Sequence, residues 1–189
     1  MISEFKLITL FIRGYFLSMI VKGDYLIANG IPAYSKLKAV YYLSCVSPIR
    51  KLPEEVRSGI EKWYEVGEFI VDLYEGADVE EINIPHYFYK LSPLDIRIIK
   101  SLKQIPKGRV ASYIYLAKKL GIHPRRVARA LAKNPFPLIY PCHRVVYSDG
   151  SLGGYLGKLS LAGLKAEILR REGVMIIGER VPSKYFLHA

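Results

Sequence analysis

Cysteine is scarce in this sequence: Cys45 and Cys142 are the only two among 189 residues. Two cysteines cannot build the disulfide framework of a small secreted domain. They also exclude an all-cysteine zinc site, and no Cys/His cluster has metal-ligand spacing, so neither metal nor cofactor is expected. Glutamine occurs once, as Gln104, and asparagine three times. So few thermolabile amides lean towards a heat-adapted source. A membrane-spanning helix needs about 20 apolar residues in a row. The apolar start, residues 5–21, is interrupted by Lys6, Arg13 and Gly14, so it reads as strands and no membrane association is expected. It lacks the basic flank and small-residue cleavage site of a signal peptide. A working thiol suits a reducing compartment, which makes the expected location cytoplasmic.

Acidic residues are scarce in one half only. From residue 91 onward there are 18 Lys/Arg and 5 Asp/Glu; residues 1–90 carry 10 and 12. A strongly basic half joined to a nearly neutral one fits a polyanionic partner such as nucleic acid. A generally basic proteome or a solvated surface would give the same numbers. Hydrophobic residues make up 51% of the chain, ample for a core, and the length suits one large domain or two small ones.

Residues 4–45 read as mainly antiparallel strands, with turns at Gly14, at Lys22-Gly23-Asp24 and at Asn29-Gly30. Asn-Gly is a strong hairpin signal because both residues tolerate φ > 0. Tyr41 to Val46 fits either a strand or a short helix. Pro53-Glu54-Glu55 reads as a helix start, with apolar spacing from Ile60 to Tyr74 and a stop at Gly76. Ile82 to Pro85 reads as a short strand, and His86 as a surface or interface residue. A boundary falls near Lys90, giving an N-terminal domain over 1–90.

The basic half opens with Ser92 as N-cap and Asp95 three residues on, followed by an apolar face of Leu94, Ile98, Ile99, Leu102 and Ile105. A second helix follows Ser112, with Ile114, Leu116, Ala117 and Leu120 inside. Gly121-Ile122-His123-Pro124 is a tight turn into a third helix reaching Lys133. Two short helices about such a turn predict a helix-turn-helix. Arg126, Arg129 and Lys133 recur at i, i+3, i+7 on one side of the third helix, where they can reach phosphates; a merely solvated basic face has the same pattern. Tyr147 to Gly150 predicts a turn. The glycines at 153, 154 and 157 are wrongly spaced for a phosphate loop and suggest backbone passing close to a ligand. A last helix runs from Leu161 to Arg171 with Gly173 as its stop. Residues 174–177 suit a strand, and 177–189 read as a peripheral tail.

The stretch from Asn134 to Val146 organises the rest. Prolines at 135, 137 and 141 fix an extended, turn-punctuated path that presents Cys142 in one orientation, with His143 directly after it. Cys142 is a candidate nucleophile; a buried structural thiol is the plainer alternative. The run Asn134-Pro135-x-Pro137-x-x-x-Pro141-Cys142-His143-Arg144-Val145-Val146 closely resembles the active-site signature of the 6-O-alkylguanine-DNA alkyltransferases. Gly108 to Tyr113, Pro124 to Val127, Gly153-Gly154-Tyr155 and Lys165 to Gly173 follow in matching order, so the resemblance covers residues 91–176.

The resemblance implies an α/β (α+β) protein: a ribonuclease H-like strand-and-helix domain, then a mainly helical domain with a helix-turn-helix. It implies DNA repair by a suicide transfer of the alkyl group from 6-O-alkylguanine in double-stranded DNA to Cys142, after the base is flipped out. By the same resemblance His143 is the base acting through water, Glu172 orients it, and Tyr113 helps rotate the nucleotide and protonate the leaving guanine. Arg125 fills the vacated stack; Arg126, Arg129 and Lys133, from their shared side of the third helix, and Ser112 are also expected at the DNA. Asn134, Pro137, Val145, Tyr155 and Gly157 shape the pocket. No dimer element stands out, so a monomer is expected. A non-enzymatic DNA-binding or lesion-sensing protein is the competing reading, and a cysteine hydrolase lacks a second motif for an oxyanion site.

Overall fold

The computed structural model describes residues 4–187, a mixed α/β chain. It divides into two compact units: one holds the residues up to Lys90 together with Pro135–Ile139, the other Leu91–Asn134 and the chain from Tyr140 onward.

In the first unit, strands β1 (Phe5–Ile12), β2 (Tyr15–Lys22) and β3 (Tyr25–Asn29) form an antiparallel meander in that order. Arg13 and Gly14, both at positive φ, make the two-residue turn whose twist suits a hairpin. Helix α1 (Lys36–Val46), capped by Ser35, buries Ala39, Leu43 and Val46; the undecided 41–46 segment is therefore helical. Helix α2 (Tyr64–Glu75) ends on left-handed Gly76. A Cβ on its Gly67 would lie 2.6 Å from Ile12 Cδ1 and 2.8 Å from Leu10 Cδ1, so glycine lets α2 close on β1.

Three local readings are corrected here. Asn29-Gly30 is no hairpin. Gly30 packs on α1, where a Cβ would meet Ala39 O at 3.0 Å. Asn29 is buried and holds residues 135–137: its N–H donates to Pro135 O at 3.0 Å and its Nδ2 to Pro137 O at 3.0 Å. Tertiary burial has overridden turn propensity. Nor does a helix begin at Pro53. The segment stays extended and bridges β1, with Leu7 N–H donating to Glu54 O and Val56 N–H to Leu7 O; helical structure starts only at Glu61. Residues 82–85 form no strand, although Pro85 and Tyr87 flank a single parallel bridge to Leu26.

In the second unit, α3 (Pro93–Ser101) is capped by Ser92, which accepts from Asp95 N–H. Strand β4 (Ala111–Ser112) runs into α4 (Tyr113–Leu120), and Gly121, left-handed at φ +68°, turns the chain into α5 (Pro124–Leu131). Ile114, read as internal, is 44% exposed, while Leu116 and Ala117 carry the buried face of α4. Strand β5 (Val145–Val146) pairs in parallel with β4, and α6 (Ala162–Arg171) completes the helices.

The last segment is not peripheral. Val181 is buried in one cluster with Val110, Val146, Leu152 and Leu169, with Tyr185 and Phe186 packed on it. Val110 donates to Tyr185 O, and Leu187 donates to Val110 O. At Gly150 a Cβ would lie 2.5 Å from Val181 O, so that glycine admits the returning chain. Residues 174–176 are irregular and 177–180 close a tight turn instead of a strand. His188 and Ala189 lie outside the described residues.

Candidate active site

The path to Cys142 is set by local rules. Pro141 has φ −76° and ψ +69°, and Cys142 N–H donates to Tyr140 O at 2.7 Å, an inverse γ-turn. Asn134 closes the same corner with its Nδ2, which donates to Tyr140 O at 2.8 Å and to Cys142 Sγ at 3.3 Å. A short 3-10 turn over Cys142–Arg144 leads into β5. Because β5 pairs with β4, and Ser112 at the end of β4 caps α4, Tyr113 is delivered to the same place.

Glu172 arrives from the other side. It is the C-cap of α6. Gly173 N–H donates to Arg170 O and Val174 N–H to Leu169 O, the paired bonds of a Schellman motif with left-handed Gly173. That turn fixes where the Glu172 side chain leaves the helix. Its Oε1 lies 2.9 Å from His143 Nε2. Arg144 grips the same carboxylate through Nε at 3.0 Å to Oε2 and Nη2 at 2.7 Å to Oε1, while its Nη1 donates to Ile105 O.

The protonation states follow. Burial raises the Glu172 carboxyl, but His143 and Arg144 outweigh it and hold it at about 2, against an ordinary 4.5. An ionised carboxylate only accepts hydrogen bonds, so His143 Nε2 carries the proton it donates. Burial also lowers the pKa of His143 despite Glu172, so the ring is neutral. Its Nδ1 therefore bears a lone pair; it is buried and makes no hydrogen bond among the described residues. Such a nitrogen can accept a proton. Burial pushes the Cys142 thiol up, while Asn134 and the positive charge of Lys165 pull it down. Lys165 is 1% exposed, and its Nζ donates to Val145 O and Leu152 O, each at 2.6 Å. Burial lowers its ammonium to about 8. Tyr113 is held protonated, first by burial and then by Cys142 and Tyr147.

Of these groups, Cys142 and Tyr113 line a cavity of about 140 Å³. They form one part of its wall, Ala128 and Leu131 of α5 with the C-cap Ala132 another, and residues 154–157 the rest. Tyr155 is buried with its ring edge-on to His143. Leu156 and Gly157 both have positive φ, and Tyr155 and Lys158 exchange backbone bonds at 2.9 Å. The glycine-rich stretch is thus a tight hairpin of its own: a Cβ on Gly154 would lie 2.8 Å from Lys158 O.

Of the residues singled out from sequence, Cys142, His143, Glu172, Tyr113, Asn134, Val145, Tyr155 and Gly157 are gathered at this relay and cavity. Four others are placed differently. Pro137 is buried in the first unit, where its carbonyl receives Asn29. Ser112 is 9% exposed and accepts from Tyr115 N–H as the cap of α4. Arg126 and Lys133 are ion-paired with Asp95 at 2.6 and 3.4 Å. Arg125 and Arg129 are exposed on α5. The sequence motifs contain Arg144 and Lys165 but assign neither a role. A lysine on the buried face of α6, beside Ala166, Ile168 and Leu169, was the legible signal.

The buried carboxylates carry an acid-stability prediction. Asp95, raised by burial but lowered more by Arg126 and Ser92, is also at about 2, against 3.8. Stability from a carboxyl held low is present above its unfolded pKa and is lost as pH falls through the folded one. Stability against urea should therefore fall from about pH 4.5 down to about 2, by roughly 2 kcal/mol for Asp95 and by a further loss for Glu172 that it shares with His143. His143, kept neutral, adds a loss that begins below its ordinary 6.5. Stability flat across that range would contradict the network.

A family model described as the 6-O-methylguanine DNA methyltransferase DNA-binding domain matches residues 93–174. The methylated-DNA–protein-cysteine methyltransferase of Methanocaldococcus jannaschii is 33% identical over 177 residues, 92% of this chain and 98% of that protein. A solved O6-methylguanine DNA methyltransferase from Methanococcus jannaschii superposes with a TM-score of 0.62 at 32% identity, over 90% of this chain and 95% of that one. A DNA base-flipping protein of Thermus thermophilus is 37% identical over 110 residues, 58% of this chain and 73% of the relative. No helix among the described residues is long and apolar enough to cross a membrane. Matched nearly from end to end by one such relative, and carrying the buried cysteine, histidine and glutamate just described, this chain belongs to the methylated-DNA–protein-cysteine methyltransferase family.

Proposed function

We propose that this protein repairs 6-O-alkylguanine in duplex DNA by moving the alkyl group onto Cys142 in a single turnover. The observation that carries the reading is the buried relay in which Glu172 fixes the proton on His143 Nε2 and leaves Nδ1 bare. His143 Nδ1 takes the Cys142 proton through a water, and Lys165 stabilises the thiolate. The sulfur attacks the alkyl carbon in line, the carbon–oxygen bond breaks, and its electron pair stays on guanine O6. Tyr113 donates to the departing base. A thioether is not reopened by thiol exchange, so each molecule acts once.

The alkylated base cannot be reached inside the stack and must be flipped out. Helix α5, which we read with α4 as a helix-turn-helix, has Ala128 and its C-cap Ala132 beside the cavity, with exposed Arg125 at its start. Arg125 occupies the gap left by the base. Arg125→Ala is then expected to slow repair of duplex DNA about tenfold to hundredfold, the scale of one to two stacking contacts. Repair of single strands should change little; equal losses on both would remove this role.

The deciding experiment is the intact mass of the protein after mixing with an oligonucleotide carrying 6-O-methylguanine. A gain of one methyl group, mapped to Cys142, is expected. A bound lesion with no gain would favour non-enzymatic base flipping. That alternative leaves Cys142, His143, Glu172 and Lys165 without a use.

A further inference from the structure

The four cations of α5 and its end are not equivalent. Arg125 and Arg129 make no ion pair among the described residues, whereas Arg126 and Lys133 converge on one carboxylate. That carboxylate is Asp95, whose side chain is 3% exposed in the first turn of α3. Its Oδ1 accepts from Arg126 Nη1 at 2.6 Å. Its Oδ2 accepts from Ser92 Oγ at 2.8 Å and from Lys133 Nζ at 3.4 Å. Arg126 Nη2 also reaches Ser92 Oγ at 3.4 Å.

We infer that Asp95 is an internal substitute for a DNA phosphate: it retains Arg126 and Lys133 and so limits how strongly the α5 face grips undamaged DNA. The inference rests on the reading of α5 as the DNA-facing helix. Each phosphate neutralised by a cation releases counterions and strengthens binding regardless of sequence. A repair protein meets undamaged DNA far more often than a lesion and must leave it again. Cations already satisfied by a carboxylate add little to that unspecific grip. Turning Arg126 to a phosphate would exchange one charge-assisted bond for another and strip a buried carboxylate of its closest cation, which is unfavourable. Asp95 is thus a positioning residue acting through Arg126 and Lys133.

The test is affinity for undamaged duplex across a salt series, together with single-turnover methyl transfer. Arg129→Gln should make the salt slope shallower by about 0.9, a check on the α5 reading itself. Arg126→Gln, made in the otherwise native protein, should leave the slope unchanged. Asp95→Asn should steepen it by about 0.9 per released cation, to a total of about 1.8. In the same variant the maximal transfer rate should hold while the DNA concentration for half-maximal rate falls. Adding Arg126→Gln and Lys133→Gln to Asp95→Asn should restore the native slope. An unchanged slope in Asp95→Asn, with only thermal stability lowered, would reduce the cluster to a helix–helix tie and overturn the inference. So would a slope made shallower by Arg126→Gln alone, which decides the matter even where Asp95→Asn does not fold. An Arg129→Gln slope equal to the native one would instead sink the α5 reading, and the inference with it.

Discussion

Cys142→Ser is expected to abolish methyl uptake while leaving binding of the lesion in place. Serine is close in size and its hydroxyl can still accept the Asn134 Nδ2–H that now meets Sγ, so the fold loses only about 1 kcal/mol. The chemistry loses far more. On the proposed mechanism a thiol raised by burial and lowered by the Lys165 charge can give its proton to neutral His143, whereas a far less acidic alcohol in the same place cannot. Removing a covalent nucleophile costs roughly 10⁶-fold in rate, which for a one-turnover protein means no mass gain in any practical time. Intact-protein mass and lesion binding, measured on the same sample, separate the two effects. A serine variant that still gained a methyl group would place the acceptor elsewhere.

Glu172→Gln should be the next most damaging change, and it should damage two things at once. The glutamine oxygen can accept from Arg144 or from His143, but its NH₂ group faces donors it cannot satisfy. Breaking a buried pair of this kind costs about 3–5 kcal/mol. Without the carboxylate, neither the tautomer nor the orientation of His143 is fixed, and transfer should slow by about 10²–10⁴-fold, the span general-base assistance commands. The pH profile distinguishes the causes. Transfer by the native protein should rise with pH as the thiolate forms. If lost base assistance is the main defect, the variant should recover towards high pH, where thiolate forms without help. A deficit constant across pH would assign the effect to misplacement of the site.

What could be read from the residues was local. Ser92 with Asp95, Ser112, Gly76 and Gly173 act through bonds three to five residues long, so their caps and stops are visible in the string. The Cys142–His143 motif was legible because prolines at 135, 137 and 141 impose the backbone on their own. What escaped depended on partners far along the chain. Asn29-Gly30 has a turn's composition, yet Pro137, 108 positions away, claims the Asn29 side chain. The Pro53 segment is drawn out of helix by Leu7. Arg126 and Lys133 have the spacing of a phosphate-reading face, and only the packing of α3 on α5 reveals the carboxylate between them. The last residues lack periodicity, and their place in the Val110 cluster comes from backbone pairing that no pattern announces.

The position of Pro135–Ile139 within the first unit has a consequence for how the protein is made. Phe136 fills a niche beside His86 and Phe88, and Asn29 waits for two carbonyls that follow it by more than 100 residues. From Lys90 to Ile139 is 49 residues, which a ribosome adds in roughly 2–10 s. During that interval the first unit has been synthesised but lacks one of its own pieces. The N-terminal half therefore leaves the ribosome unfinished, and the segment that completes it is the one leading directly into Cys142.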